Sequence, residues 1–303
     1  MPLVETRELL AAAAADRTAV PALNVIHLES AEAIATAAEN AGAGAVLQIS
    51  QNCVKYHGAL APIAAATRAV AEQSTAPLAL HLDHAEDVDL LHQALDLGFS
   101  SVMYDGAALP YAQNVATTAD VVRTAASAGV IVEAELGEIG GKDGAHAPGV
   151  RTDPEEAARF AADTGVHALA VAVGSSHAMT TKTATIDVDL VAALAERVPV
   201  PLVLHGSSGV PEQAITAAIT AGMRKINVST QLVRAFTGAV RERLDGDAAL
   251  VDSRKYLGEG RRAMAAEAAV VISLIAGRND DAAGAPAPTT GRGSPDAHEA
   301  GRA

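Results

Sequence analysis

The stretch 78–84, LALHLDH, decides how the chain is read. An apolar, β-like run ends by presenting His81, Asp83 and His84 within four residues. Strand alternation sends His81 and Asp83 to one face, and His84 to the other unless the strand ends there and frees it. Titratable groups this dense are costly to bury unless they are paired or bind a metal. A lone histidine in such a run is more often a satisfied core residue than a ligand. Here the balance shifts because other strand ends repeat the pattern.

Working outward, short apolar runs also occupy 20–25, 45–50, 101–105, 130–136, 168–174, 202–205 and 225–230. Each is followed by a helical pattern, and a further Ala-rich helix is predicted at 5–16. Alternating β and α units imply a parallel sheet. Eight units in about 225 residues fit a closed (β/α)₈ TIM barrel of ordinary size. A doubly wound open sheet would want a GxGxxG turn after its first strand, and none is there. One or two more helices are expected over 252–275. Residues 1–278 are thus read as the barrel domain. The tail 279–303, rich in Ala, Gly, Pro and charge, is read as disordered.

Composition narrows the function. Half the residues are hydrophobic but only 2% are aromatic, with no Trp, so small aliphatic side chains must fill the core. The single Cys53 excludes an intramolecular disulfide and fits a reducing compartment. The start carries Glu5 and Glu8 and shows no secretory pattern, so a cytoplasmic location is expected. No apolar run approaches the ~18 residues of a membrane span. A net charge of −14 disfavours nucleic-acid partners. It also means that backbone donors, rather than a general positive field, must hold any phosphorylated substrate.

In such a barrel, function gathers at the carboxyl ends of the strands. Those ends carry Asn24, Gln48 and Ser50, Asp83 and His84, Asp105, Glu135, His177, His205, Asn227 and Thr230. Three histidines from three strands, with carboxylates between them, match a catalytic zinc site with one open position. The competing reading is a metal-free, hydrogen-bonded polar core. Gly206–Gly209 and 227–230 follow strands seven and eight, where these barrels often bind phosphate. The 14-residue Gly-rich stretch 137–150 reads as a mobile lid. Ser176–His177 is a poor nucleophile–base pair, because adjacent residues rarely align so. None of the five lysines falls at the carboxyl end of a strand. Lys225 is placed at the opposite rim, which argues against a Schiff base.

The motifs HLDH (81–84), MYD (103–105), EAELGEIGG (133–141), TDPEEA (152–157), AVGSSH (172–177), LVLHGSSGVP (202–211) and KINVST (225–230) resemble the class II, zinc-dependent ketose-bisphosphate aldolases. The resemblance covers roughly 1–275. It implies that His84, His177 and His205 hold a catalytic zinc, with Asp105 and Glu135 at a second or alternative metal position. It makes Asp83 the acid that exchanges a proton with the C4 hydroxyl. It implies that Gly206, Ser207, Ser208, Asn227, Val228, Ser229 and Thr230 bind dihydroxyacetone phosphate, beside Ala178, with Gln48 and Ser50 lining the pocket. A monovalent cation and a homo-oligomer, dimer or tetramer, come with the family by analogy.

The implied reaction is reversible cleavage of fructose 1,6-bisphosphate to dihydroxyacetone phosphate and glyceraldehyde 3-phosphate, a step of glycolysis. The alternatives are tagatose 1,6-bisphosphate or another phosphoketose and, outside the class, a metal- and sugar-phosphate-binding protein without turnover. The chain departs from the family at several points. Its lid reads Gly140-Gly141-Lys142-Asp143, leaving the lid base open between Asp143 and Glu138. Ala178 replaces a common Gly. Ser229 stands where fructose-specific members often carry Asp or Asn, and tagatose-type members Ala.

Overall fold

In the computed structural model, which describes residues 3–136, 151–176 and 181–278, every one of the apolar runs forms a strand. They are β1 (Val20–Asn24), β2 (Ala45–Ser50), β3 (Leu78–Ala85), β4 (Ser101–Tyr104), β5 (Ile131–Leu136), β6 (Ala168–Val171), β7 (Leu202–Leu204) and β8 (Met223–Val228). Each pairs in parallel with the next, and β8 pairs with β1 to close the barrel. The intervening helices are α2 (Leu28–Ala41), α3 (Gln51–His57), α4 (Leu60–Gln73), α5 (Val88–Asp96), α6 (Tyr111–Ser127), α7 (Pro154–Thr164), α8 (Val188–Arg197) and α9 (Glu212–Ala221). α1 (Thr6–Asp16) precedes the barrel, and α10 (Thr230–Asp245) and α11 (Ser253–Ile275) follow it. The segments expected to be a lid and a disordered tail lie outside the described residues. Among the described residues, no helix is long and apolar enough to cross a membrane.

Local signals explain the boundaries. Asp153 accepts from the Glu156 N–H at 2.9 Å and Pro154 opens α7, so the Thr-Asp-Pro-Glu-Glu stretch starts a helix as its sequence predicts. α2 stops where Gly42 turns left-handed. Residues 252–275 form one helix rather than two, packed along α2 and α10. α3 is not foreshadowed by any apolar period. Its N-terminus is capped by Ser50, whose hydroxyl accepts from the Cys53 N–H.

Alternation sorts the strands into two faces. Leu23, Leu47, Leu80, Leu82, Val102, Val132, Leu169, Leu204, Ile226 and Val228 join the helices in the outer core. The inward positions divide by height. At the amino end, Val20, Ala22, Val46, Ala79 and Ile131 pack against Leu10 and Ala13 of α1, which plugs the barrel. Toward the carboxyl end, the inward positions are mostly polar, apart from a small apolar patch of Ala168, Ala170, Ala172 and Val203.

Two irregularities decide what points inward. In β3, Leu82 and Ala85 pair with Val102 and Tyr104, so Asp83 and His84 together oppose a single residue. His84 absorbs the extra step with a left-handed φ of +48°. In β8, Met223 and Lys225 pair with the consecutive Leu202 and Val203. Arg224 is the extra residue, and its guanidinium donates to the carbonyls of Ile219 and Met223. Lys225 then turns inward. It is therefore not at an outer rim, as its place in the sequence suggests, but buried in mid-barrel at 1% exposure.

Candidate metal and substrate site

The bulge in β3 resolves the alternation problem that the sequence poses. Asp83 and His84 both reach the barrel mouth, where His205 arrives from the end of β7. Ligand atoms of Asp83, His84 and His205 lie within 4.8 Å of one another. A left-handed backbone at a residue other than Gly, Asn or Asp costs of order 1–3 kcal/mol, a strain that gathers at functional sites.

The ring nitrogens are oriented by carboxylates. His84 Nδ1 lies 2.7 Å from Asp105 Oδ2 and 3.8 Å from Glu135 Oε2, so its proton belongs on Nδ1. His205 Nε2 lies 2.9 Å from Glu133 Oε1, so its proton belongs on Nε2. The remaining nitrogens, His84 Nε2 and His205 Nδ1, face each other at 2.8 Å. Two imidazole lone pairs so placed repel unless a shared proton or a bound cation relieves them. This donor set, two neutral imidazoles with a carboxylate beside them and each ring held from behind by an acid, fits a zinc ion. His84, Asp105 and Glu135 form a second grouping that could hold a cation on the Nδ1 side of the same ring.

Asp83 is 3% exposed and receives the side-chain amides of Asn24 at 3.2 Å and Asn227 at 3.3 Å. Burial alone would raise its carboxyl, but the imidazoles of His84, His205 and His81, once protonated in acid, and the Lys225 ammonium hold it down to about 2. His81 sits one layer lower. Burial and the nearby Lys225 push its imidazole down to about 3, against the pull of Glu133 and Asp83. Its Nδ1 contacts Ser101 Oγ at 2.8 Å, and that hydroxyl contacts Thr6 of the α1 plug. Cys53 is no rival nucleophile, since burial pushes its thiol up to about 11.

Above these residues lies a cleft of about 210 Å³, lined by Gln48, Ser50, Asp83, His84, Gly206, Ser207, Ser208, Asn227, Ser229 and Thr230, together with Asn24, Asn52 and Ser176. Gly206 adopts φ +66°, and a Cβ there would stand 2.6 Å from the Ser176 carbonyl carbon, so only glycine lets the ends of β6 and β7 come this close. Residues Ser207–Gly209 form a 3₁₀ turn. The Ser207 hydroxyl donates to the Asn227 carbonyl, and Ser208 Oγ accepts from the Gln231 N–H at 3.2 Å. Ser229 makes no side-chain cap on α10, whose first turn is capped instead by Ser208 from the neighbouring loop and begins beside the cleft.

Most of the predicted site residues are therefore brought together. Val228 is not: its side chain lies in the outer core, because it alternates away from Asn227. His177 and Ala178 lie outside the described residues, as do the lid candidates Glu138 and Asp143. Sequence reasoning missed Asn52, which the unforeseen α3 carries to the cleft. It also missed Glu133 and Lys225, which meet at 2.8 Å beneath His205. With its ammonium committed to that carboxylate, Lys225 is not placed to form an imine.

Comparison with known proteins agrees with this geometry. Residues 4–280 match the family model for class-II fructose-bisphosphate aldolase. A fructose-bisphosphate aldolase from Geobacillus stearothermophilus is 37% identical over 270 residues, spanning 88% of this chain and 94% of its own. The crystal structure of the YdjI aldolase from Escherichia coli K12 superposes with a TM-score of 0.81 at 29% identity, covering 90% of this chain and 97% of that one. The fructose-bisphosphate aldolase of Campylobacter jejuni shares the fold with a TM-score of 0.76 at 21% identity, over 90% and 95% of the two chains. Bulge, facing imidazoles, glycine-walled cleft and family model converge: this chain belongs to the class-II fructose-bisphosphate aldolase family.

Proposed function

We propose that the chain is a zinc-dependent aldehyde-lyase that reversibly cleaves fructose 1,6-bisphosphate into dihydroxyacetone phosphate and glyceraldehyde 3-phosphate. The observation that carries this reading is the pair of imidazole nitrogens facing each other at 2.8 Å, each ring oriented from behind by a carboxylate. His177 joins them as the third ligand by family resemblance. Bound there, zinc would supply Lewis-acid stabilisation of the negative charge left when a C–C bond beside a ketone breaks.

The protein's own groups do the rest. Asp83, held as a carboxylate and aimed by Asn24 and Asn227, accepts the C4 hydroxyl proton in cleavage and returns it in condensation. The 3₁₀ turn after β7, beside the start of α10, offers backbone N–H groups to a phosphate, which suits a chain of net charge −14. Gln48, Ser50 and Asn52 offer polar contacts to the sugar hydroxyls. Ala178 belongs to the same wall by resemblance, and the lid base remains Asp143 or Glu138. A cytoplasmic location, a homo-oligomer and a monovalent cation complete the proposal.

A coupled assay of dihydroxyacetone phosphate release tests it. Activity is expected with fructose 1,6-bisphosphate, lost on chelation and restored by zinc. Activity that survives chelation overturns the mechanism. A faster reaction with the C4 epimer, tagatose 1,6-bisphosphate, reassigns the substrate.

A further inference from the structure

Beneath the cleft, Lys225 and Glu133 are buried and take no part in the proposed proton transfers. Lys225 Nζ donates to Glu133 Oε2 at 2.8 Å and to Asn227 Oδ1 at 2.9 Å. An ammonium has three donors and no acceptor, so each neighbour must turn an acceptor toward it. For Asn227, this sends the amide oxygen down to Lys225 and the Nδ2 group up to Asp83 Oδ1. For Glu133, it occupies one carboxylate oxygen and leaves the other for His205 Nε2 at 2.9 Å.

A carboxylate paired in this way accepts and does not donate. The proton must then sit on His205 Nε2, leaving Nδ1 with its lone pair toward His84. One contact pulls the other way, since Asn227 Nδ2 lies 3.1 Å from the same His205 Nε2. Glu133 is closer and carries the charge, so it decides the tautomer.

We propose that Lys225 is the positioning residue that sets the direction of both hydrogen-bond branches, one through Glu133 to His205 and one through Asn227 to Asp83. The ion pair thus holds His205 ready to ligate rather than merely filling the barrel. This rests on the reading of His205 as a zinc ligand, so the test separates the two.

The informative pair of variants is Glu133→Gln, alone and combined with Lys225→Met. Alone, the introduced amide must give its oxygen to Lys225 and its N–H group to His205 Nε2. That drives the imidazole proton onto Nδ1. Zinc affinity, read by competition with a chromophoric chelator, is expected to fall about 10–100-fold, the range for losing such an outer partner. Removing the ammonium frees the amide to rotate and accept from His205. The double variant is therefore expected to regain about tenfold of the lost affinity. A purely structural ion pair predicts the opposite, with the double variant no better than the single one.

Nitrogen-15 spectra of labelled histidine supply a reading that needs no variant to fold. In the metal-free, unsubstituted protein, with His205→Ala used to assign the signal, Nε2 should be protonated and Nδ1 bare. Finding Nδ1 protonated overturns the inference, as does wild-type zinc affinity in Glu133→Gln. Zinc affinity unchanged in His205→Ala would instead overturn the functional reading itself.

Discussion

Below His81 the barrel interior holds Val20, Ala22, Val46, Ala79 and Ile131 under the α1 plug; above it, the same inward rows hold Asn24, Gln48, Asp83, Glu133, Glu135, His205, Lys225 and Asn227. The strands are continuous across the boundary and the pleat is the same. Aliphatic groups below pack against one another and the plug and need no polar partners. The polar groups above are as deeply buried, and there most of their polar atoms have a directed partner. One end of the barrel thus stabilises the chain, and the other uses that stability to hold unfavourable charges in place. Substitutions in the two halves should therefore fail in different ways.

The largest expected effect is at the top. His205→Ala should lose stoichiometric zinc by metal analysis and drop aldol cleavage to the uncatalysed background. A variant that kept both would erase the distinction drawn here. Next, Asp83→Asn should lower kcat on the order of 10³-fold, the scale of a general acid–base group, while retaining its zinc. Loss of metal together with rate would make Asp83 a ligand instead of a proton carrier.

In the lower half, Leu10→Ala should cost about 2–5 kcal/mol in denaturant unfolding and leave kcat/KM of the folded enzyme unchanged. A catalytic defect there would mean that the plug is coupled to the site. The smallest effect sharpens the boundary. The His81 imidazole is pushed down to about 3, below its ordinary 6.5. Between those values the unfolded chain binds a proton that the folded chain refuses. The contribution is complete above about 6.5 and lost as pH falls toward 3, at up to ~1.4 kcal/mol per pH unit. His81→Gln should flatten the fall in stability between pH 6 and pH 4 by that amount. An unchanged slope would be inconsistent with a buried neutral imidazole.

Much of the barrel was legible because eight β-rich runs alternate with helical patterns, and because parallel strands buried on both faces read as continuous apolar stretches. α3 was not, since QNCVKYH has no apolar period and is held by its Ser50 cap. The cleft was legible where residues follow strand ends, as with Ser207, Ser208 and Asn227. Glu133 and Lys225 escaped for another reason. Mid-strand charges look like a solvated face unless the inward parity is known, and for Lys225 that parity depends on the bulge at Arg224, which leaves no mark in the sequence. The side chain of Val228 falls outside the cleft, because alternation turns every second side chain of the contiguous motif away.

The additional residue in β3 acts as a change of phase. Deleting one position between Leu82 and Ala85 would leave the eightfold closure, the plug and the outer packing with little to object to. Yet it would restore simple alternation at the mouth by removing Asp83 or His84 itself, so the chamber would keep only one of the acid and the imidazole. A sound barrel and an inert one would then differ by a single peptide unit, with no loss of compactness to betray it.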